Sequence, residues 1–153
     1  MIKVVAIGKL KDKGTQSLIE EYQKRLKPIH KVTLKELEPC KKKKASIDEI
    51  INEESARLLA EIGVQDHVVL LDLKGKMFSS ESLSSYIDDK TSKGLQVVFV
   101  IGGSHGVNQS VRDRANFRWQ ISELTFTHQF VRVILYEQIY RSFMIIGNHP
   151  YHK

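Results

Sequence analysis

This chain has few of the residues that hold a protein together by means other than a packed core. Its single cysteine, Cys40, excludes an internal disulfide and points to a reducing, cytoplasmic setting. No apolar run approaches the roughly 18 residues of a membrane span. The opening stretch, residues 1–7, is too short for a signal peptide and has no cleavage pattern. The six histidines are scattered, and no pair has the H-E-x-x-H spacing, so no metal site is expected. No repeat, linker or low-complexity segment divides the chain.

What remains is ordinary globular material. The 153 residues are 41% hydrophobic and 27% charged, which fits one domain, 1–153, with a sizeable core. Lysine and arginine number 24 against 18 acidic residues, a formal net charge of +6. That excess favours a polyanionic partner, although a solvated basic surface accounts for it almost as well.

The chain is centred on Val97-Val98-Phe99-Val100-Ile101, followed at once by Gly102-Gly103-Ser104-His105-Gly106. Five consecutive apolar residues predict a strand buried on both faces. The glycines then expose bare backbone N–H groups, and Asn108 offers a helix N-cap. In open α/β proteins, ligands bind at such a turn, outside the carboxyl ends of the strands. An ordinary tight turn fits equally well. A nucleoside-triphosphate loop is excluded, because Val107 and Asn108 stand where it needs lysine and a hydroxyl. The dinucleotide fingerprint is excluded by its spacing.

Periodicity predicts strands at 2–7, 31–37 (an outer one), 67–73, 97–101 and 117–122. Helices are predicted at 16–26, from Ser46 to 62, from Ser79 or Ser80 to 94, at 108–116 and at 128–146. Ser46 and Glu49 have the spacing of a capping box. Residues 39–44 form a basic loop that fits either phosphate contact or plain solvation. The alternation predicts an α/β fold, a parallel sheet with helices on both faces. The last helix is apolar nearly all round, so it needs a second surface, and another copy of the chain is the simplest one. A homodimer is expected.

Several runs, taken together, are specific. Val-Phe-Val-Ile-Gly-Gly-Ser-x-Gly, Ser-x-Leu-Thr-Phe-x-His-Gln, Arg-Val-x-Leu-x-Glu-Gln-x-Tyr-Arg and the terminal Tyr-His-Lys closely resemble the bacterial 23S ribosomal RNA pseudouridine N3-methyltransferases of the SPOUT class. The resemblance extends from Ala6-Ile7-Gly8-Lys9-Leu10-Lys11 to the last residue. It implies a homodimer with a C-terminal trefoil knot, S-adenosylmethionine as cofactor, and methylation of N3 of the pseudouridine at position 1915 of 23S ribosomal RNA, within the assembled ribosome. It implies a cofactor pocket at Leu71, Gly102, Ile121, Ser122, Glu123, Leu124, Thr125 and Phe126. The family commonly has proline where this chain has Thr127, which loosens that loop's backbone.

The chemistry needs no metal, because a sulfonium methyl is already electrophilic. The imide nitrogen must lose a proton, and a histidine of ordinary pKa, about 6.5, can accept it near neutrality. His152 is the expected base. Tyr151 holds or stacks on the uracil ring, and Arg141, His128 and Arg132 grip phosphate or carbonyl groups. In the family the tail reaches the cofactor pocket of the partner subunit. Two other readings stay open: a SPOUT enzyme acting on another RNA nucleotide, and a non-catalytic RNA-binding assembly factor.

Overall fold

A computed structural model describes Met1–Lys153. Strands and helices alternate: β1 (Ile2–Ile7), α1 (Lys13–Leu26), β2 (Val32–Leu37), α2 (Ile47–Ala60), β3 (His67–Lys76), α3 (Ser80–Ser92), β4 (Val97–Ile101), α4 (Gln109–Arg114), β5 (Phe117–Trp119) and α5 (Phe130–Ile146). Every strand pairing is parallel, in the order β2-β1-β4-β3-β5. The parallel α/β fold expected from the alternation is therefore observed, with β2 at an edge.

Successive side chains of the central strands enter opposite cores. Ile2, Val4 and Ala6 of β1 and Val97, Phe99 and Ile101 of β4 pack with α1, α3 and α5. Val5, Ile7, Val98 and Val100 pack on the other face, against Leu58 of α2 and Val111 of α4. All of β4 is buried. Burial on both faces explains why its sequence shows no polar alternation.

Side-chain caps set the helix starts. Asp12 accepts from Thr15 N at 2.8 Å, so α1 begins three residues before the predicted 16. Ser46 accepts from Glu49 N at 3.1 Å. The Glu49 carboxylate meets the Ser46 hydroxyl at 3.2 Å, so only half of the predicted capping box forms. The full reciprocal box belongs to Ser79 and Ser82.

Two strands depart from prediction for one reason. Leu71 and Lys76 both register with Trp119, so residues 72–75 bulge between them and β3 runs on to Lys76. A side chain at Gly75 would strike the backbone of Arg118 and lie 2.8 Å from Trp119 N, so the bulge requires glycine there. Gln120 N donates to Lys76 O at 2.9 Å. Beyond that point β3 offers no partner, so β5 stops at Trp119 instead of 122.

The surroundings of α5 also differ from expectation. Leu135, Tyr136 and Ile139 are 0% exposed within one chain, and Phe143 is 9% exposed. These residues belong to the core shared with α1 and α3. The second surface demanded by an all-round apolar helix is therefore largely intramolecular. A three-layer fold places two helices of its own against a third, so the inference from periodicity to a partner chain does not hold for these residues. No helix is long and apolar enough to cross a membrane.

Candidate functional site

Outside the carboxyl ends of β3, β4 and β5 lies a cavity of about 410 Å³. Such a volume suits a small-molecule ligand. Three segments wall it: the β3 bulge, the glycine turn and the loop after β5. Leu71, Gly102, Ile121, Ser122, Leu124, Thr125 and Phe126 line it, and His128 stands at its rim. Glu123 is exposed and does not line it.

The glycine turn is held from below. Gly106 N donates to Gly103 O at 3.0 Å, and Gly106 has a φ of +84°. From α2, Ser55 Oγ accepts from Asn108 N at 3.0 Å, and Asn52 Oδ1 accepts from Asn108 Nδ2 at 3.0 Å. A Cβ on Gly102 would sit 2.8 Å from Val107 Cγ1, and one on Gly103 would collide with Glu54 Oε1. The glycines let the turn pack onto itself and onto α2. A side chain at Gly102 would thus spread the turn.

Composition gives no sign of the polar rim. Asp72, Lys74 and Arg112 line the cavity at the bulge. Asp72 Oδ1 accepts from Lys74 N at 2.9 Å, while Oδ2 accepts from Arg118 Nε at 2.8 Å and Nη2 at 2.7 Å. Burial pushes the Asp72 pKa up, but the Lys74 N–H and Arg118 outweigh it, and the carboxyl lies below its ordinary range. Arg112 has only a 3.9 Å approach to Asp72 and is free to meet an anionic group. Trp119 also lines the cavity, and its Nε1–H is buried without a partner. A second cavity of about 300 Å³ shares Trp119, Ile121, Ser122 and Phe126 with the first.

Arg141, Tyr151 and His152 come together elsewhere, on the outer side of α5. The Arg141 guanidinium packs 4.8 Å over the Tyr151 ring and bonds Glu137 Oε1 from Nη2 at 2.5 Å. Tyr151 Oη donates to the same oxygen at 3.1 Å. Burial and the Glu137 carboxylate push the Tyr151 phenol up to about 12, so near neutrality it can donate a hydrogen bond but not act as a base. Arg141 Nη1 lies 3.1 Å from His152 Nδ1, and Glu81 Oε1 lies 2.8 Å from His152 Nε2. Arginine can only donate, so a neutral His152 accepts at Nδ1 and donates from Nε2. None of the three residues lines the cavity of its own chain.

Arg132 is not a surface grip. It is 0% exposed, and its guanidinium bonds Ile7 O at 2.7 Å and Gly8 O at 2.8 Å. No face is left for phosphate, and the expectation of RNA contact is corrected. Glu137, which helps hold the tail, is the acidic residue of the Arg-Val-x-Leu-x-Glu-Gln-x-Tyr-Arg run, but Glu81 carries no signal in the sequence, where it is one acidic residue among many.

Comparison with known proteins supplies the family. A family model described as "Predicted SPOUT methyltransferase" matches residues 1–152. The chain belongs to the SPOUT methyltransferases. Proteins named "Ribosomal RNA large subunit methyltransferase H" are similar to this SPOUT chain over its whole length. The one from Desulfitobacterium hafniense (strain Y51) is 45% identical, covering 99% of this chain and 98% of its own. That of Clostridium acetobutylicum is 44% identical over 99% of each, and that of Caldicellulosiruptor saccharolyticus 40% over 100% of each.

Proposed function

We propose that this SPOUT protein transfers a methyl group from S-adenosylmethionine to N3 of a pseudouridine in 23S ribosomal RNA. In this reading it acts in the cytoplasm on the assembled ribosome, as a homodimer whose C-terminal part is knotted as in its family. One observation carries the reading: the 410 Å³ cavity is built from the three segments to which the family resemblance assigns the cofactor. The names of the full-length relatives supply the class of substrate.

The cavity fits the group. Leu71, Ile101, Trp119 and Ile121 give apolar walls for a purine, and the unpartnered Trp119 Nε1–H is a buried donor at those walls. Asp72, Lys74 and Arg112 offer both signs of charge for a zwitterionic methionyl end. S-adenosylmethionine, when bound, supplies a methyl group that is already electrophilic. This chain's residues must bring N3 into line, take its proton and keep water away.

His152 is the proposed base, with Arg141 gripping and Tyr151 stacking on or orienting the uracil. Folded against α5, His152 has its basic nitrogen, Nδ1, engaged by Arg141, so it must leave Arg141 before it can accept a proton. A tail that reaches the cavity of the partner subunit meets that requirement. Leu124, Phe126 and Phe130, exposed by 69%, 39% and 47%, give the mouth an apolar rim for a second copy. His128, at that rim, is the proposed contact to the RNA.

Mass spectrometry of ribosomal RNA tests the function. A strain lacking the gene should lose one base methyl mark on a 23S pseudouridine and regain it on complementation. An unchanged set of methyl marks would contradict the reading.

A further inference from the structure

Two basic loops leave the same sheet edge as the glycine turn, yet take no part in the cavity. Lys9 and Lys11 follow β1, and Lys41, Lys42, Lys43 and Lys44 follow β2. Because every pairing is parallel, these loops emerge at the carboxyl edge, where the turn after β4 also emerges. They meet at Glu38, whose Oε1 lies 3.2 Å from Lys9 Nζ and whose Oε2 lies 2.8 Å from Lys41 Nζ. Lys42 reaches Glu53 at 3.4 Å, a carboxylate already bonded to Arg57. Lys11, Lys43 and Lys44 are exposed and make no ion pair. The six lysines therefore share two carboxylates and leave a surplus of positive charge.

The backbone that leads into the lysine run, and that flanking Lys9, is held firmly. Arg57 Nη1 bonds Glu38 O and, at 3.1 Å, Pro39 O. Cys40 N donates to Glu54 Oε2 at 3.0 Å, and Glu54, 4% exposed, also abuts Gly103 of the glycine turn. On the other loop, Arg132 holds Gly8 O and Gln16 Nε2 holds Leu10 O at 2.6 Å. Merely solvated lysines need no such anchoring, and crowding like charges opposes folding. A site that binds a polyanion gains from it, because fewer groups must be ordered on binding and each neutralised phosphate releases counterions.

We propose that Lys9, Lys11 and Lys41 to Lys44 form a grip for the phosphate backbone that seats the substrate RNA beside the cavity. This rests on the reading of the protein as a ribosomal RNA methyltransferase. The test compares the full-length protein with Lys42→Gln/Lys43→Gln/Lys44→Gln and with Lys43→Glu/Lys44→Glu, all at exposed positions. S-adenosylmethionine affinity and kcat should stay within about twofold, while KM for ribosomes rises about tenfold or more. The dependence of log KM on log salt should become shallower by roughly 0.7 to 0.9 for each phosphate no longer gripped. An unchanged KM, or a raised KM with an unchanged salt slope, would overturn the proposal. Filter binding of a protein-free 23S RNA fragment gives a readout independent of catalysis. If the unmodified protein methylates no RNA, the functional reading fails, but equal RNA affinity and slope across the three proteins would still be needed to overturn the grip. Variants that lose ribosomes yet keep the RNA fragment would place a ribosomal protein on these lysines and overturn it too.

Discussion

The guanidinium of Arg132 donates from Nη2 to the carbonyl of Ile7 at 2.7 Å, joining the last helix to the end of the first strand across 125 residues. A second bond, from Nη1 to Gly8 O, runs alongside. Burial lowers the Arg132 pKa, and Glu36, 3.6 Å away, partly offsets that. Arg132→Ala leaves two carbonyls without charged donors, each such bond being worth about 1.5–3 kcal/mol. Denaturant unfolding should show a loss of about 3 kcal/mol or more. Unchanged stability with weakened ribosome binding would return Arg132 to the RNA surface.

The exposure of α5 separates core from rim. Ile139→Glu would bury an unpaired charge inside one chain, at a cost of several kcal/mol, so it should yield unfolded or aggregated protein. Phe130→Glu, at a half-exposed position, should fold and shift sedimentation towards monomer. A well-folded Ile139→Glu monomer would instead make Ile139 part of the seam.

Much of this architecture is legible in the sequence. The five-residue apolar run and its glycines locate the central strand and the turn, because burial on both faces leaves no polar alternation. The tail and the cavity loop are recognisable only through family resemblance, since Tyr-His-Lys alone reads as a frayed end. Arg132 is misleading in the sequence because an arginine's partners, here two backbone carbonyls distant along the chain, are set by tertiary packing. The bulge at 72–75 is not visible there because strand propensity says nothing of register. The carboxylate of Glu54 is likewise meaningful only once α2 is docked.

Acid should weaken the bulge. Asp72 has a depressed pKa in the folded state, so its contribution is fully present above the unfolded value and is lost as pH falls through the folded one. Asp72→Asn should cost about 1.5 kcal/mol near neutrality, on the scale of a charged hydrogen bond. The gap in denaturation free energy between the two proteins should close as both are taken to acid. A gap independent of pH would mean that the Asp72 side chain acts by shape and not by charge.

The tail separates binding from chemistry. His152→Ala should keep S-adenosylmethionine affinity near that of the unmodified protein while methyl transfer falls about 100-fold. Part of the rate should return as pH rises and the imide ionises unaided. Tyr151→Phe should fall less if the ring mainly stacks. Full turnover after deletion of residues 151–153 would send the proton elsewhere.

The most direct measurement is methyl transfer by the purified protein to ribosomes taken from a strain lacking the gene. With labelled S-adenosylmethionine, followed by nuclease digestion and mass spectrometry, the expected result is about one methyl per ribosome, on N3 of a 23S pseudouridine. Label on a ribose hydroxyl or on another base, or no label in RNA, would contradict the assignment.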